Sequence, residues 1–170
     1  MNKPLYNFFT NDHHRIEALL NKATEKAGEF EMESYLQFRI GLLTHIKMEE
    51  KILFPAAQKA NNNIPLPIAA RLRAEHGALT SLMVPPPSAG LIKVIRHVLE
   101  KHDLAEEEPG GMYDACEALT KNQVNELLEQ LSKVTEAPVH PHNTAAYALE
   151  SAKRSLLRAG YNYDEIANTA

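Results

Sequence analysis

Apolar residues recur at helical spacing along almost the whole chain, and the alternation of a β-strand is nearly absent. The pattern predicts a first helix over about residues 10–27, ending at Gly28, with Phe9, Ile16, Leu20 and Ala23 on one stripe. A second helix covers about 32–59 and stops at the run NNNIPLP; its stripe is Phe38, Leu42, Ile52 and Ala56. A third, about 65–83, opens on Pro65 and ends at VPPPSAG, with Ala69, Leu72, Leu79 and Met83 on its stripe. A fourth, about 89–108, carries Leu91, Ile95, Val98 and Leu99 and is interrupted at Pro109, Gly110 and Gly111. Four amphipathic helices joined by short links predict an all-α fold, an up-down-up-down four-helix bundle. Additional C-terminal helices follow near 112–119, 122–134 and, after the loop APVHPHN, 144–159, where Gly160 suits a C-cap. The last of these carries Ala145, Leu149, Ala152 and Leu156, a stripe that could dock on the bundle or on a partner.

Each of the four main stripes has a gap, and polar residues fill it. Helix one reads Phe9, His13, Ile16, Leu20; helix two reads Phe38, Leu42, His45, Glu49, Ile52. Helix three reads Ala69, Leu72, His76, Leu79; helix four reads Ile95, Leu99, His102, Glu106. Residues four apart lie about 40° apart around a helix, so each His-x-x-x-Glu pair points one way. Carboxylates in a core cost several kcal/mol each unless a cation or partner neutralises them. No Lys or Arg occupies these stripes, so a metal ion is the simplest answer.

Levels along the bundle test that reading. His13 stands about 15 residues before the first turn, and the midpoint of His45 and Glu49 about 15 after it, so at roughly 1.5 Å per residue they match. The second crossing also matches within a turn. The third is offset by roughly 9 Å, which the Pro85, Pro86, Pro87 stretch can absorb at about 3 Å per residue. The other histidines fall outside this set. His14 and His97 lie off the stripes, and His140 and His142 flank Pro141 in a loop. Glu17 reads as a neighbour of the site or as surface. Glu50, Glu107 and Glu108 read as an exposed face, with Glu107 an alternative to Glu106.

Composition narrows the function classes. The net charge is −4 and no long run of like charge appears, which gives nucleic acid and anionic membranes no electrostatic footprint. No apolar stretch is long enough for a membrane span, and the start lacks the apolar core and cleavage site of a secretory signal. Cys116 is the only cysteine; it excludes an internal disulfide and a cysteine-cluster metal site and fits the reducing cytoplasm.

The segments DHHRIEALL, LLTHIKMEEKILFP, RAEHGALTSL and VLEKHDLAEEE, covering about residues 5–119, resemble the hemerythrin-like family of HHE cation-binding domains. The family's first histidine precedes an aliphatic residue by three, which selects His13, paired with Ile16, over His14. The resemblance implies a hemerythrin-like bundle, expected over residues 1–136; residues 137–170 read as a helical extension to which the family offers no counterpart. It implies two Fe ions in an oxo- or hydroxo-bridged di-iron centre, with His13, His45, His76 and His102 as terminal ligands and Glu49 and Glu106 as bridges. Zn or Mn suits the same donors.

Oxygen-carrying members have a His-x-x-x-His pair on helix three, whereas Thr80 stands four residues after His76 here. Thr80 is therefore expected to face an open coordination position. The expected function is binding or sensing of oxygen, iron, peroxide or nitric oxide, with no catalytic residue assigned. The alternatives are a di-iron oxidase, peroxidase or nitric-oxide-handling enzyme, with Glu17 or Tyr6 the available acid or base, or an interaction module with a structural metal. The C-terminal helices are the expected surface for a homodimer or protein partner.

Overall fold

The computed structural model describes residues 2–169, and among them there is no strand. The helices are α1 (Pro4–Ala23), α2 (Met32–Met48), α3 (Phe54–Ala60), α4 (Ala69–Leu82), α5 (Ala89–Glu107), α6 (Met112–Thr120), α7 (Val124–Ser132), α8 (Ala146–Arg158) and α9 (Tyr163–Ala167). The chain divides into two compact units. The first holds the residues up to Ala69 together with Leu104–Pro138; the second holds Ala70–Asp103 and the chain from Val139 onward.

In the first unit α1 packs on α2, α6 packs on α1 and α3, and α7 reaches α1 and the turn after α2. Leu5, Phe9, Ile16, Leu20, Tyr35, Phe38, Leu53, Phe54 and Cys116 are buried in its core. Helix α1 begins at Pro4, earlier than its apolar pattern indicates. The cause is tertiary: the Glu117 carboxylate on α6 accepts from the backbone N–H groups of Leu5 (2.8 Å) and Tyr6 (3.0 Å). Those donors would otherwise be orphaned in the first turn, and Pro4 has none to orphan.

Between α2 and α3 the helix widens into a π-helical turn over Glu49–Leu53. Pro55 cannot donate to the carbonyl four residues back, and a widened turn accommodates its ring. The turn adds one residue to the repeat and so rotates everything after it by about 100°. This corrects the stripe read from the sequence. Leu53 and Ala57 are buried, and Ile52 and Ala56 are only half-buried.

The break after α5 is a tight reversal. Gly110 adopts φ +81°, the left-handed region. At Gly111 a side chain would meet the carbonyl oxygens of Ala105, Glu108 and Glu106 at 2.7, 2.8 and 2.9 Å. Only glycine lets α6 start this close to the end of α5, and that start delivers Tyr113 into the first unit's core, 1% exposed.

The second unit joins α4 and α5 to α8 and α9. Ala148, Ala152, Ser155 and Leu156 are buried, whereas Ala145 is exposed and Leu149 half-buried, so the buried face of α8 differs from the expected stripe. Ala145 is extended and serves as the N-cap rather than as a helical residue. The C-terminal segment is tied down within this unit. Asn143 N–H donates to the Val84 carbonyl at 2.9 Å, and Lys93 donates to the Thr169 carbonyl at 2.7 Å. Gly90 itself packs so closely on α9 that a Cβ added to it would stand 3.3 Å from that of Ala167.

Candidate metal centre

Helices α1 and α2, the π turn and the end of α5 bring His13, His45, Glu49 and Glu106 together inside the first unit. One ligand atom from each lies within 4.8 Å of all the others. Their exposures are 8, 2, 0 and 0%, so water cannot solvate the carboxylates. Two donors about 2.1 Å from a shared ion at the tetrahedral angle stand about 3.4 Å apart. His13 Nε2 lies 3.4 Å from Glu106 Oε2, and His45 Nε2 lies 3.4 Å from Glu49 Oε1. Nitrogen and carboxylate oxygen at these separations fit a borderline divalent or a trivalent cation.

Carboxylates outside the cluster set the tautomers. Glu107 Oε1 lies 2.6 Å from His13 Nδ1, and Asp12 Oδ2 lies 2.8 Å from His45 Nδ1. A carboxylate only accepts, so each Nδ1 donates its N–H outward and each Nε2 turns inward. Burial disfavours the charged form of His45, but Glu49's charge, aided by hydrogen bonds to Asp12 and Glu49, outweighs burial and His13 and raises its pKa. Asp12 is held below the usual carboxylate range: burial opposes this, and His45 and Arg15 prevail.

The Tyr113 hydroxyl sits among the four donors. Its oxygen lies 2.7 Å from Glu49 Oε1, 2.9 Å from Glu106 Oε2, 3.0 Å from His13 Nε2 and 3.2 Å from His45 Nε2. Burial and the charges of Glu106 and Glu49 push its pKa well above the ordinary phenol value.

The second unit holds a related arrangement. His76 on α4 and His102 on α5 are each 3% exposed, with ring centroids 4.8 Å apart. Glu75, 1% exposed, accepts from His102 Nδ1 at 2.8 Å, from the Tyr161 hydroxyl at 2.7 Å and from Arg71 Nε at 3.0 Å. Burial works against its charge, but the bonds from His102, Tyr161 and Arg71 bring its pKa down to about 2.

The sequence signal missed Tyr113, Asp12 and Glu75, and read Glu107 as exposed. Glu107 is half-buried because it reaches His13. One signal was available: an acid directly precedes His13 and His76, and on a helix it points about 100° away, towards a neighbouring helix. Thr80 is exposed, which corrects the expectation that it faces a coordination position. It lies about 40° beyond His76, past the edge of the buried stripe. Glu17 and His14 are exposed as well, and Tyr6 donates to the Glu107 carbonyl at 2.8 Å. His97 is half-buried with its ring edge-on to Tyr161, so it is not a free surface residue.

No curated protein and no solved structure matches the chain significantly. A family model does: the hemerythrin HHE cation-binding domain matches residues 5–121. The match spans more than half of the chain and includes every one of the six stripe-interrupting residues, on a helical framework with extra C-terminal helices and no strand among the described residues. The chain therefore belongs to the hemerythrin HHE cation-binding family and has a hemerythrin-like helical bundle.

Proposed function

We propose that this protein holds a non-haem di-iron centre and binds or senses oxygen or a related small oxidant such as peroxide or nitric oxide. The observation that carries the reading is the buried set His13, His45, Glu49 and Glu106, whose donor atoms crowd within 4.8 Å. By the family's pattern, His76 and His102 would be terminal ligands of a second iron, and Glu49 and Glu106 would be shared by the pair. Bound there, the irons would supply reversible or irreversible electron transfer to a small ligand. Zn or Mn is the competing occupant.

The protein's own residues give the site its character. Asp12 and Glu107 fix the imidazole tautomers that ligation requires. Phe9, edge-on to His45 at 5.4 Å, and the buried Ile16 and Leu42 keep the surroundings apolar. Such a shell restricts access to small ligands. The lone cysteine, buried at Cys116, suits the cytoplasm. Among the described residues no helix is long and apolar enough to cross a membrane.

The test is metal analysis with an electronic spectrum of protein purified from iron-fed cells. Two irons per chain with oxo-bridge bands in the near ultraviolet, and a spectral change on mixing the ferrous form with oxygen, are expected. Folded protein that takes up no iron would overturn the reading.

A further inference from the structure

We propose that Tyr113 is itself a metal ligand, a phenolate capping the ion held by His13, His45, Glu49 and Glu106. This rests on the metal-binding reading above and adds a donor to it.

The first argument is spacing. A donor that caps others at right angles, each about 2.1 Å from a shared ion, stands about 3.0 Å from each of them. The Tyr113 oxygen lies 2.7, 2.9, 3.0 and 3.2 Å from Glu49, Glu106, His13 and His45. One oxygen at this distance from four donors is where a fifth donor of the same coordination sphere belongs.

The second argument is the chemistry of the donors. A hydroxyl has one proton to give. Both carboxylates accept only, and with Nδ1–H committed to Glu107 and Asp12, it is Nε2 of each imidazole that turns towards the hydroxyl. Two carboxylate oxygens and two ring nitrogens thus lie within 3.2 Å of one hydroxyl oxygen. These are the donor types a borderline or trivalent cation takes, the phenol oxygen included.

The third argument is placement. The hydroxyl is held in position rather than swung in from the surface. The ring stacks on Phe9 at 5.2 Å with an interplanar angle of 29°, and Tyr6 meets it edge-on at 6.2 Å. The close reversal at Gly111 fixes the start of α6 two residues before it.

Ligation breaks the O–H bond and forms an oxygen–metal bond; the proton leaves to solvent and no electron is transferred. A hard anionic oxygen favours ferric over ferrous iron.

Optical and resonance Raman spectroscopy of the oxidised, iron-loaded full chain tests this, with iron content measured on the same samples. The wild type should show a visible phenolate-to-ferric charge-transfer band and tyrosinate ring modes that shift with ring-deuterated tyrosine. Tyr6→Phe and Tyr35→Phe should keep both, and Tyr113→Phe should lose both while retaining iron. Wild-type protein that binds iron without the band or the modes overturns the ligand assignment and leaves the iron reading intact. Wild-type protein that binds no iron overturns both. The wild-type spectrum decides even if Tyr113→Phe fails to fold.

Discussion

The Asp12 carboxylate on α1 holds Nδ1 of His45 on α2 at 2.8 Å, although Asp12's own neighbour, His13, is a member of the same cluster. Adjacent residues serve different helices because they point about 100° apart. Glu75, directly before His76, holds His102 in the same manner. Asp12→Asn should keep the fold yet weaken metal binding about 10–100-fold, since an amide can present its N–H to Nδ1 and favour the wrong tautomer. Competition against a chelator of known affinity measures it, and unchanged affinity would remove Asp12's role.

His45→Ala should lose at least one metal per chain, and His97→Ala none. A ligand present at a thousand times its Kd contributes about 4 kcal/mol to folding. The difference in melting temperature between loaded and chelator-treated protein should therefore shrink in His45→Ala and persist in His97→Ala. Equal metal contents in the two variants would refute the assignment.

Gly111→Ala places a Cβ 2.7–2.9 Å from three backbone oxygens, which cannot yield as a flexible side chain would. The overpacking should cost about 1–3 kcal/mol and displace Tyr113. Gly110→Ala meets open space and only strains a left-handed residue, at about 1 kcal/mol. Urea unfolding of both variants should rank them in that order, and near-ultraviolet circular dichroism should change more for Gly111→Ala.

Glu75 contributes acid-sensitive stability. Its carboxyl titrates at about 2 in the folded chain against an ordinary 4.5, so the folded form binds the proton less tightly than the unfolded one. The stabilisation is complete above about pH 4.5 and drains away as pH falls through about 2. In chelator-treated protein, Glu75→Gln should flatten the stability curve across that window. A curve parallel to the wild type's would show that the carboxylate contributes nothing.

The helices and the buried polar positions were legible because both follow from a 3.6-residue repeat. A histidine or glutamate in an apolar stripe is visible to anyone counting residues. Three features were hidden because contacts distant in sequence decide them. Glu117 starts α1 from more than a hundred residues away. Tyr113 enters the cluster only because Gly110 and Gly111 fold α6 back, and a pattern that ends at the break cannot foresee the return. The π turn shifts the phase after Glu49 by one residue, so Ile52 and Ala56 were assigned to the stripe that Leu53 and Ala57 occupy. Thr80 failed for a simpler reason: one turn beyond a buried residue is not always inside the buried arc.

The interlaced carboxylates also bear on how fast the centre exchanges its ion. Helix α1 supplies His13 and the support for His45, while the end of α5 supplies Glu106 and the support for His13. Withdrawing either helix removes a donor and loosens another at once. With donors at most 8% exposed, a chelator has no foothold on the closed protein. Release must wait for a local opening of the helices. Above a modest concentration, more chelator would then leave the rate of metal loss unchanged, because the protein's own breathing sets it.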